Sequence, residues 1–381
     1  MSLSGVTINK STNNLGRARQ GNDHISGLLV YDTVPSGFGT SNVVSIGSVT
    51  QAEALGITAL AYPILHYHIS EFFRLAGNSL LYVGIYFHAG SNAYDFSEIQ
   101  AMQRFANGTI KQIGVYLQSN ISTGLVNSLQ AQKAILDGLK TPLSIVLTAN
   151  IVGVSLPDFS SATTTGVSVI TDQGGTGSQA ATLFGAVNKT IGCLGATLGA
   201  ISLVNVATSI GSVSDVQNLA GSELDVIADG AGTLYTSLTR SQISAITDLG
   251  YLKLVKQDGI SGTYFNDDIT CGTGDLDTIH ANRVIDKACR GVVSGLAVKI
   301  NGNIFFNSDG SITENTAKSF ESLAGVPLDL MKSVGELSDY SVFVNPNQDV
   351  LGTSNLNVTV QLLPVGVAKT ITVNIGFSTS V

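Results

Sequence analysis

His66 and His68, one residue apart, are the chain's nearest approach to a metal-ligand pair. They fall in an apolar run that reads as a helix, where residues two apart point about 200° away from each other. They cannot share an ion, so ordinary packing or capping is expected. Gly174-Gly175-Thr176-Gly177-Ser178 precedes a helical stretch, the usual position of a phosphate-cradling loop. Neither GxxxxGK[ST] nor GxGxxG is present, and a flexible loop is the expectation. Asn266-Asp267-Asp268 beside Cys271 is an acidic cluster that reads as a solvated loop. No GxSxG elbow occurs and no cysteine sits in a protease-like context. The residues therefore point to no catalytic set, no metal and no cofactor, and the chain is expected not to be an enzyme.

One charged array remains. His280, Arg283, Lys287 and Arg290 are spaced three, four and three apart, so they line one face of an expected helix. Such a stripe could dock on an acidic protein surface, but on spacing alone a solvated helix face is the expectation.

Composition narrows the partners. Charged residues are 12% of the 381 and hydrophobic residues 44%; an average soluble domain has roughly 25% charged residues, so the deficit hints at surface buried in an assembly. The net charge of −8 argues against direct nucleic-acid binding, which needs a concentrated excess of Lys and Arg. Cys193, Cys271 and Cys289 are odd in number and widely spaced, and read as core thiols made in a reducing cytoplasm. MSLSGVTINK has no basic region followed by an apolar one, so no secretory signal is expected. The most apolar stretch, residues 183–207, is interrupted by Asn188, Lys189 and Asn205. Although its Gly192, Gly195 and Gly199 mimic a small-residue membrane face, it reads as a buried helix rather than a span.

The elements that must position these residues alternate. Apolar runs at 27–31, 43–46, 80–87, 110–117, 143–149, 167–171, 224–228 and 251–255 read as strands. Helices are expected from Pro63 to Leu75, from Asp95 to about Ala106 behind a capping signature, and from Ser122 with Leu125, Leu129, Ile135, Leu136 and Leu139 as its apolar face. Further helices are expected at 179–204 and 240–249. This is an α/β fold with a mixed or parallel sheet flanked by helices. From about 258 the texture changes to an α+β pattern: a helix over 277–296, a hairpin at Asn301-Gly302 between 298–300 and 304–306, a helix over 314–334, and two terminal strands. The first of these strands alternates through Leu356, Val358, Val360 and Leu362, and the second through Ile371, Val373, Ile375 and Phe377. The expected organisation is an N-terminal arm at 1–25, an outer α/β region at 26–255, a C-terminal domain at 256–366, and a C-terminal arm or strand at 367–381.

The ends carry the clearest functional signal. Residues 370–381 contain neither charge nor Pro, and residues 1–9 are also uncharged with Val6 and Ile8 at strand period. Solitary proteins usually blunt terminal sheet edges with charge or Pro. Two such ends suit strand exchange between subunits, the alternative being that each pairs within its own chain. Asn13-Asn14-Leu15-Gly16 and Gly352-Thr353-Ser354-Asn355 have the composition of flexible linkers.

The order of segments resembles the tail sheath family of contractile phages, pyocin-like particles and related injection systems. The likeness runs through GLLVYDTVPSG, VVSIGSVTQAEALGI and ISEFFRLAGNSLLYVGIY near the N-terminus, with Ala76-Gly77-Asn78 where many sheaths carry Gly-Gly. It continues through GISGTYFNDDIT, IHANRVIDKACRGV and LNVTVQLLPVGVAKTITVNIGF. The resemblance implies a helical homopolymer around an inner tail tube protein, bounded by baseplate and tail terminator proteins. It also implies terminal arms that complete a small sheet in neighbouring C-terminal domains, and contraction that drives the tube through a target envelope. The C-terminal domain would face the tube, making the His280–Arg290 stripe or the 314–334 helix the candidate tube contact. The particle would be a virion tail or phage-like machine assembled in the bacterial cytoplasm. Another baseplate or capsid-associated assembly protein, or a cytosolic α/β enzyme, are the alternatives.

Overall fold

A computed structural model describes residues 22–77, 79–90, 93–216, 218–221, 223–373, 375 and 377. Val6 and Ile8, and the Asn13–Gly16 linker, lie outside them. The first half alternates: β1 (Ser26–Tyr31), β2 (Val43–Ile46), α1 (Val49–Ala54), α2 (Pro63–Ala76), β3 (Leu81–Tyr86), α3 (Glu98–Phe105), β4 (Gln112–Asn120), α4 (Thr123–Gly138) and β5 (Ser144–Asn150). Short pieces follow: β6 (Thr163–Thr164), β7 (Val167–Val169), β8 (Gln173–Gly174), α5 (Gln179–Val187), α6 (Leu194–Leu203), β9 (Ile227–Ala228), α7 (Arg240–Asp248), β10 (Leu254–Val255), β11 (Tyr264–Phe265) and β12 (Cys271–Gly272). The C-terminal unit holds α8 (Ile279–Ala297), α9 (Glu314–Ser333), β13 (Asp339–Phe343), α10 (Val350–Thr353) and β14 (Thr359–Leu363).

Six strands form one sheet in the order β2-β3-β1-β4-β5-β7. All neighbours run parallel except β2, which is antiparallel to β3, so the mixed sheet expected from the apolar runs is present. Helices α2 and α6 cover one face over Leu28, Val30, Leu81 and Val83, and α3 and α4 cover the other over Leu29, Ile113, Val115 and Leu147. Both faces are dry, which is why the strands read as continuous apolar runs.

The close crossing of α2 and α6 depends on two glycines. A Cβ on Gly195 would fall 2.0 Å from the His68 carbonyl oxygen, and one on Gly199 3.0 Å from that of Phe72. The small-residue pattern is therefore an interhelical contact inside the protein, and no helix among the described residues is long and apolar enough to cross a membrane.

Several expected elements differ. The single helix expected at 179–204 is two: Asn188 adopts the left-handed conformation (φ 49°) and closes α5, and α6 restarts after Cys193. The hairpin at Asn301-Gly302 is absent, because Lys299 N and Ile300 N bond back to Leu296 and Ala297 and continue α8 as turns. Ile135 and Leu139 of the expected α4 apolar face are 43% and 57% exposed, since Val126, Leu129 and Leu136 make that face. Cys289 is exposed; Cys193 and Cys271 are buried as expected. Ile25, placed at the inner limit of the expected N-terminal arm, is only 6% exposed and belongs to the core. Residues after 255 still pair with the α/β layer, β11 with β10 and β12 with β6, so the change of texture near 258 does not coincide with a change of packing. Finally, Ile371, Val373, Ile375 and Phe377 lie in no strand.

Candidate assembly site

The C-terminal unit is built on two long helices and a two-stranded ribbon. β13 and β14 run antiparallel, with Tyr340 opposite Leu362 and Val342 opposite Val360. These four residues face inward onto Val284, Ala288, Leu328 and Met331 of α8 and α9. Asp339, Ser341, Phe343, Thr359, Gln361 and Leu363 face out, the alternation a half-buried sheet requires. Among the described residues no further strand pairs with either outer edge of this ribbon, and both edges are flanked by built surfaces.

Beside β14 lies a groove of about 1080 Å³, lined by Val284, Ala288, Val292, Val293, Val360 and Leu362 and bounded toward the α/β layer by the end of α4. Beside β13 lies a smaller, polar cleft against α9. There Tyr340 Oη donates to Asp329 Oδ1 at 2.6 Å, Lys332 Nζ lies 2.8 Å from Asp339 Oδ1, and the Val344 N–H donates to Glu321.

The chain leaves β14 through Pro364, Val365 and Val367, which rim the groove, and Lys369 then reaches Asp267 at 2.8 Å. Beyond it Ile371, Val373, Ile375 and Phe377 are 80%, 70%, 92% and 112% exposed. Exposed large apolar side chains concentrate in this unit. Val326, Leu330 and Val334, spaced by four along α9, form an exposed stripe at 62%, 64% and 46%.

The α8 stripe sits elsewhere than a solvated helix face. His280 Nδ1 lies 2.6 Å from Asp268 Oδ2. Arg283 is 4% exposed and donates to backbone carbonyls of Asp23, Val204 and Asn205; burial lowers its guanidinium to about 10. Lys287 Nζ is 2.6 Å from Glu336 Oε1 and 2.7 Å from Asp23 Oδ2. Arg290 reaches Asp23 and the Pro142 carbonyl. Burial pushes the Asp268 carboxyl up, but the hydrogen bonds and charge of His280 outweigh it and hold the group below its usual range.

The other sequence candidates resolve as structure. His66 Nε2 pairs with Glu53 at 2.9 Å, whereas His68 is fully buried on the opposite side of α2, where Nδ1 accepts from Gly195 N. The Gly174–Ser178 segment is not a free loop: Gly174 pairs in β8, Ser178 caps α5, and the Glu223 carboxylate accepts from the N–H groups of Gln179 and Ala180. The chain's own carboxylate thus occupies the anion position at that helix start. Asp268, expected in a solvated loop, is 1% exposed. Gly352 and Thr353 end α10 and hydrogen-bond to Asp349, so that linker is locally ordered.

In a doubly wound sheet ligands bind at the carboxyl ends of the strands where the order reverses, here around β1 and β4. That position is filled by aromatic rings: His88 stacks on Tyr94 at 3.9 Å, Tyr31 and Phe96 pack beside them, and Tyr94 Oη contacts Ser119. No group of three or more potential metal ligands occurs among the described residues.

Asp23 and the groove carried no sequence signal, since both arise from segments distant in the chain. The Val326–Leu330–Val334 spacing was visible, but exposure, not spacing, separates it from a core stripe.

This fold is shared with chains of solved contractile-sheath and baseplate assemblies. The chain superposes on the anti-feeding prophage (AFP) helical sheath in its contracted state with a TM-score of 0.66 at 15% identity, covering 99% of both chains. Against a chain of the AFP baseplate, 6-fold symmetrised, it reaches 0.66 at 14% identity, again covering 99% of each. The contracted PVC sheath complex of an extracellular contractile injection system gives 0.60 at 12% identity, covering 100% of this chain and 98% of that one. The chain belongs to the DUF2586 family, whose N-terminal domain profile matches residues 3–268 and whose C-terminal domain profile matches 275–381. No curated protein matches it.

Proposed function

We propose that this chain is a structural subunit of a contractile sheath, which polymerises helically around an inner tube and shortens to drive the tube through a target envelope. One observation carries the reading: the open edge of β14, beside an apolar groove, is matched by an exposed, uncharged segment of strand period at the end of the same chain. Segment 370–377 of one subunit adds to β14 of its neighbour. Ile371, Val373, Ile375 and Phe377 then enter the groove beside Val360 and Leu362, while the intervening polar residues join Thr359 and Gln361 outside. Backbone bonds supply affinity, the alternation sets register, and each apolar side chain contributes about 2 kcal/mol before ordering costs. Val6 and Ile8 of the N-terminal arm are the other candidate linking residues.

Subunits so linked stay connected while their bodies rotate from an extended into a tighter packing, and no nucleotide is needed. The partners are further copies of the chain, an inner tube protein, and baseplate and tail terminator proteins in a virion tail or phage-like particle assembled in the bacterial cytoplasm. Because the α8 cations are engaged by the chain's own acids, the exposed Val326–Leu330–Val334 stripe of α9 is the better tube face. The net charge of −8 speaks against nucleic acid as a direct partner.

The likeness to a baseplate chain favours one second reading, a baseplate component of the same kind of machine. Electron microscopy of the purified protein with its tube separates the two, since only a sheath forms long, helically striated cylinders. Deleting residues 370–381, or 1–20, should leave a folded, soluble subunit that makes none; normal cylinders from either truncation would refute strand exchange.

A further inference from the structure

The α8 stripe converges on Asp23. Lys287 Nζ and Arg290 Nη2 approach its carboxylate at 2.7 and 3.6 Å. Arg283 Nη2 and Gln112 Nε2 of β4 donate to its carbonyl at 3.5 and 3.3 Å. Two residues later Ile25 enters the core, and its carbonyl accepts from Lys111 N at 3.0 Å. The path is thus held from residue 23 inward. At the other end Lys369 is tied to Asp267, whose neighbour Asp268 binds both the backbone N–H and the ring of His280 in the first turn of α8. Asp23 is thus held along the face of α8 by three of its cations, whereas Lys369 reaches that helix only indirectly, through the neighbour of its partner Asp267.

We infer that Asp23 is an anchor residue that fixes where the N-terminal arm meets the body, and that α8 carries its pull across into the C-terminal unit. This rests on the sheath reading above. A single exposed ion pair would be too weak for the task, but Asp23 is 21% exposed at its side chain and shares two cations, one of them also bound to Glu336. Such a network resists peeling because its members must separate together.

Asp23→Asn keeps size and backbone bonds but removes the charge, and Asp23→Glu keeps the charge. In the soluble subunit, exchange of the Ile25 amide, which donates to the Asn22 carbonyl at 3.2 Å, should rise about tenfold in D23N and stay near wild type in D23E, with β1 and β4 unchanged in both. Lys369→Gln, which removes a single half-exposed ion pair, is the control and should leave those rates near wild type. A wild-type rate in D23N overturns the anchor. In assembled sheaths, D23N should form cylinders that fragment on contraction; cylinders that stay whole overturn the transfer of load through α8. Failure of the wild-type chain to form cylinders counts against the sheath reading instead, and the exchange measurement then decides the Asp23 anchor by itself.

Discussion

Lys133 Nζ lies 3.3 Å from Asp286 Oδ1, joining α4 of the α/β layer to α8 of the C-terminal unit with both side chains under 10% exposed. Asp137 supplies a second, more exposed partner at 3.1 Å. Burial raises the Asp286 carboxyl above its usual range even with Lys133 beside it. The pair therefore ties the two units at a desolvation cost, and losing one partner is worse than losing both. Lys133→Met should destabilise the subunit by about 3–5 kcal/mol, whereas Lys133→Met with Asp286→Leu should recover most of that. Urea unfolding of the three proteins checks it.

The α2–α6 crossing tolerates no side chain at its centre. Gly195→Ala must push a methyl into the His68 carbonyl 2.0 Å away and should cost about 3 kcal/mol. Gly185→Ala in α5, which meets nothing within 4 Å, should be neutral or stabilise by up to about 1 kcal/mol. Thermal unfolding distinguishes them.

His68 sets a pH dependence whose sign follows from burial, which lowers its imidazole to about 3. The folded state keeps the ring neutral, while the unfolded chain takes up a proton near pH 6.5. Its contribution is complete above pH 6.5 and is lost as pH falls from there toward 3. Between pH 7 and pH 4 this amounts to roughly 3 kcal/mol. His68→Phe should flatten that part of the stability profile, and an unchanged slope would refute the assignment.

Cys289 is an exposed thiol lining the β14 groove, while Cys193 and Cys271 are buried, with the Cys271 thiol pushed up to about 12. A maleimide should label Cys289 alone in the free subunit. If a neighbour's strand fills the groove, labelling should fall sharply in assembled cylinders, as mass spectrometry of the peptide would report.

Leu330→Asp on the α9 stripe should change subunit stability by no more than about 0.5 kcal/mol, because the side chain is 64% exposed. It should nevertheless abolish co-sedimentation with tube; retained binding would move the tube face elsewhere.

What could be read along the chain was whatever depends on neighbours a few residues away. Pro63 opening α2, Ser122 capping α4 and the apolar runs of β1, β3, β4 and β5 are local signals, and each element forms there. The resemblance to sheaths likewise rested on the order of such segments. The break at Asn188 was hidden because α6 is buried on every side and so has no polar face to mark its ends. The spacing of His280, Arg283, Lys287 and Arg290 correctly put them on one helix face. Only the folded chain brings Asp23, Asp268 and Glu336 to that face, where they engage its cations. The alternation of Ile371 to Phe377 was equally plain, but a strand is completed by hydrogen bonds to a partner. The tertiary structure shows β14 with an open edge and those four side chains exposed beyond it. Periodicity determines which face a residue takes; which surface that face meets is decided by segments far apart in sequence.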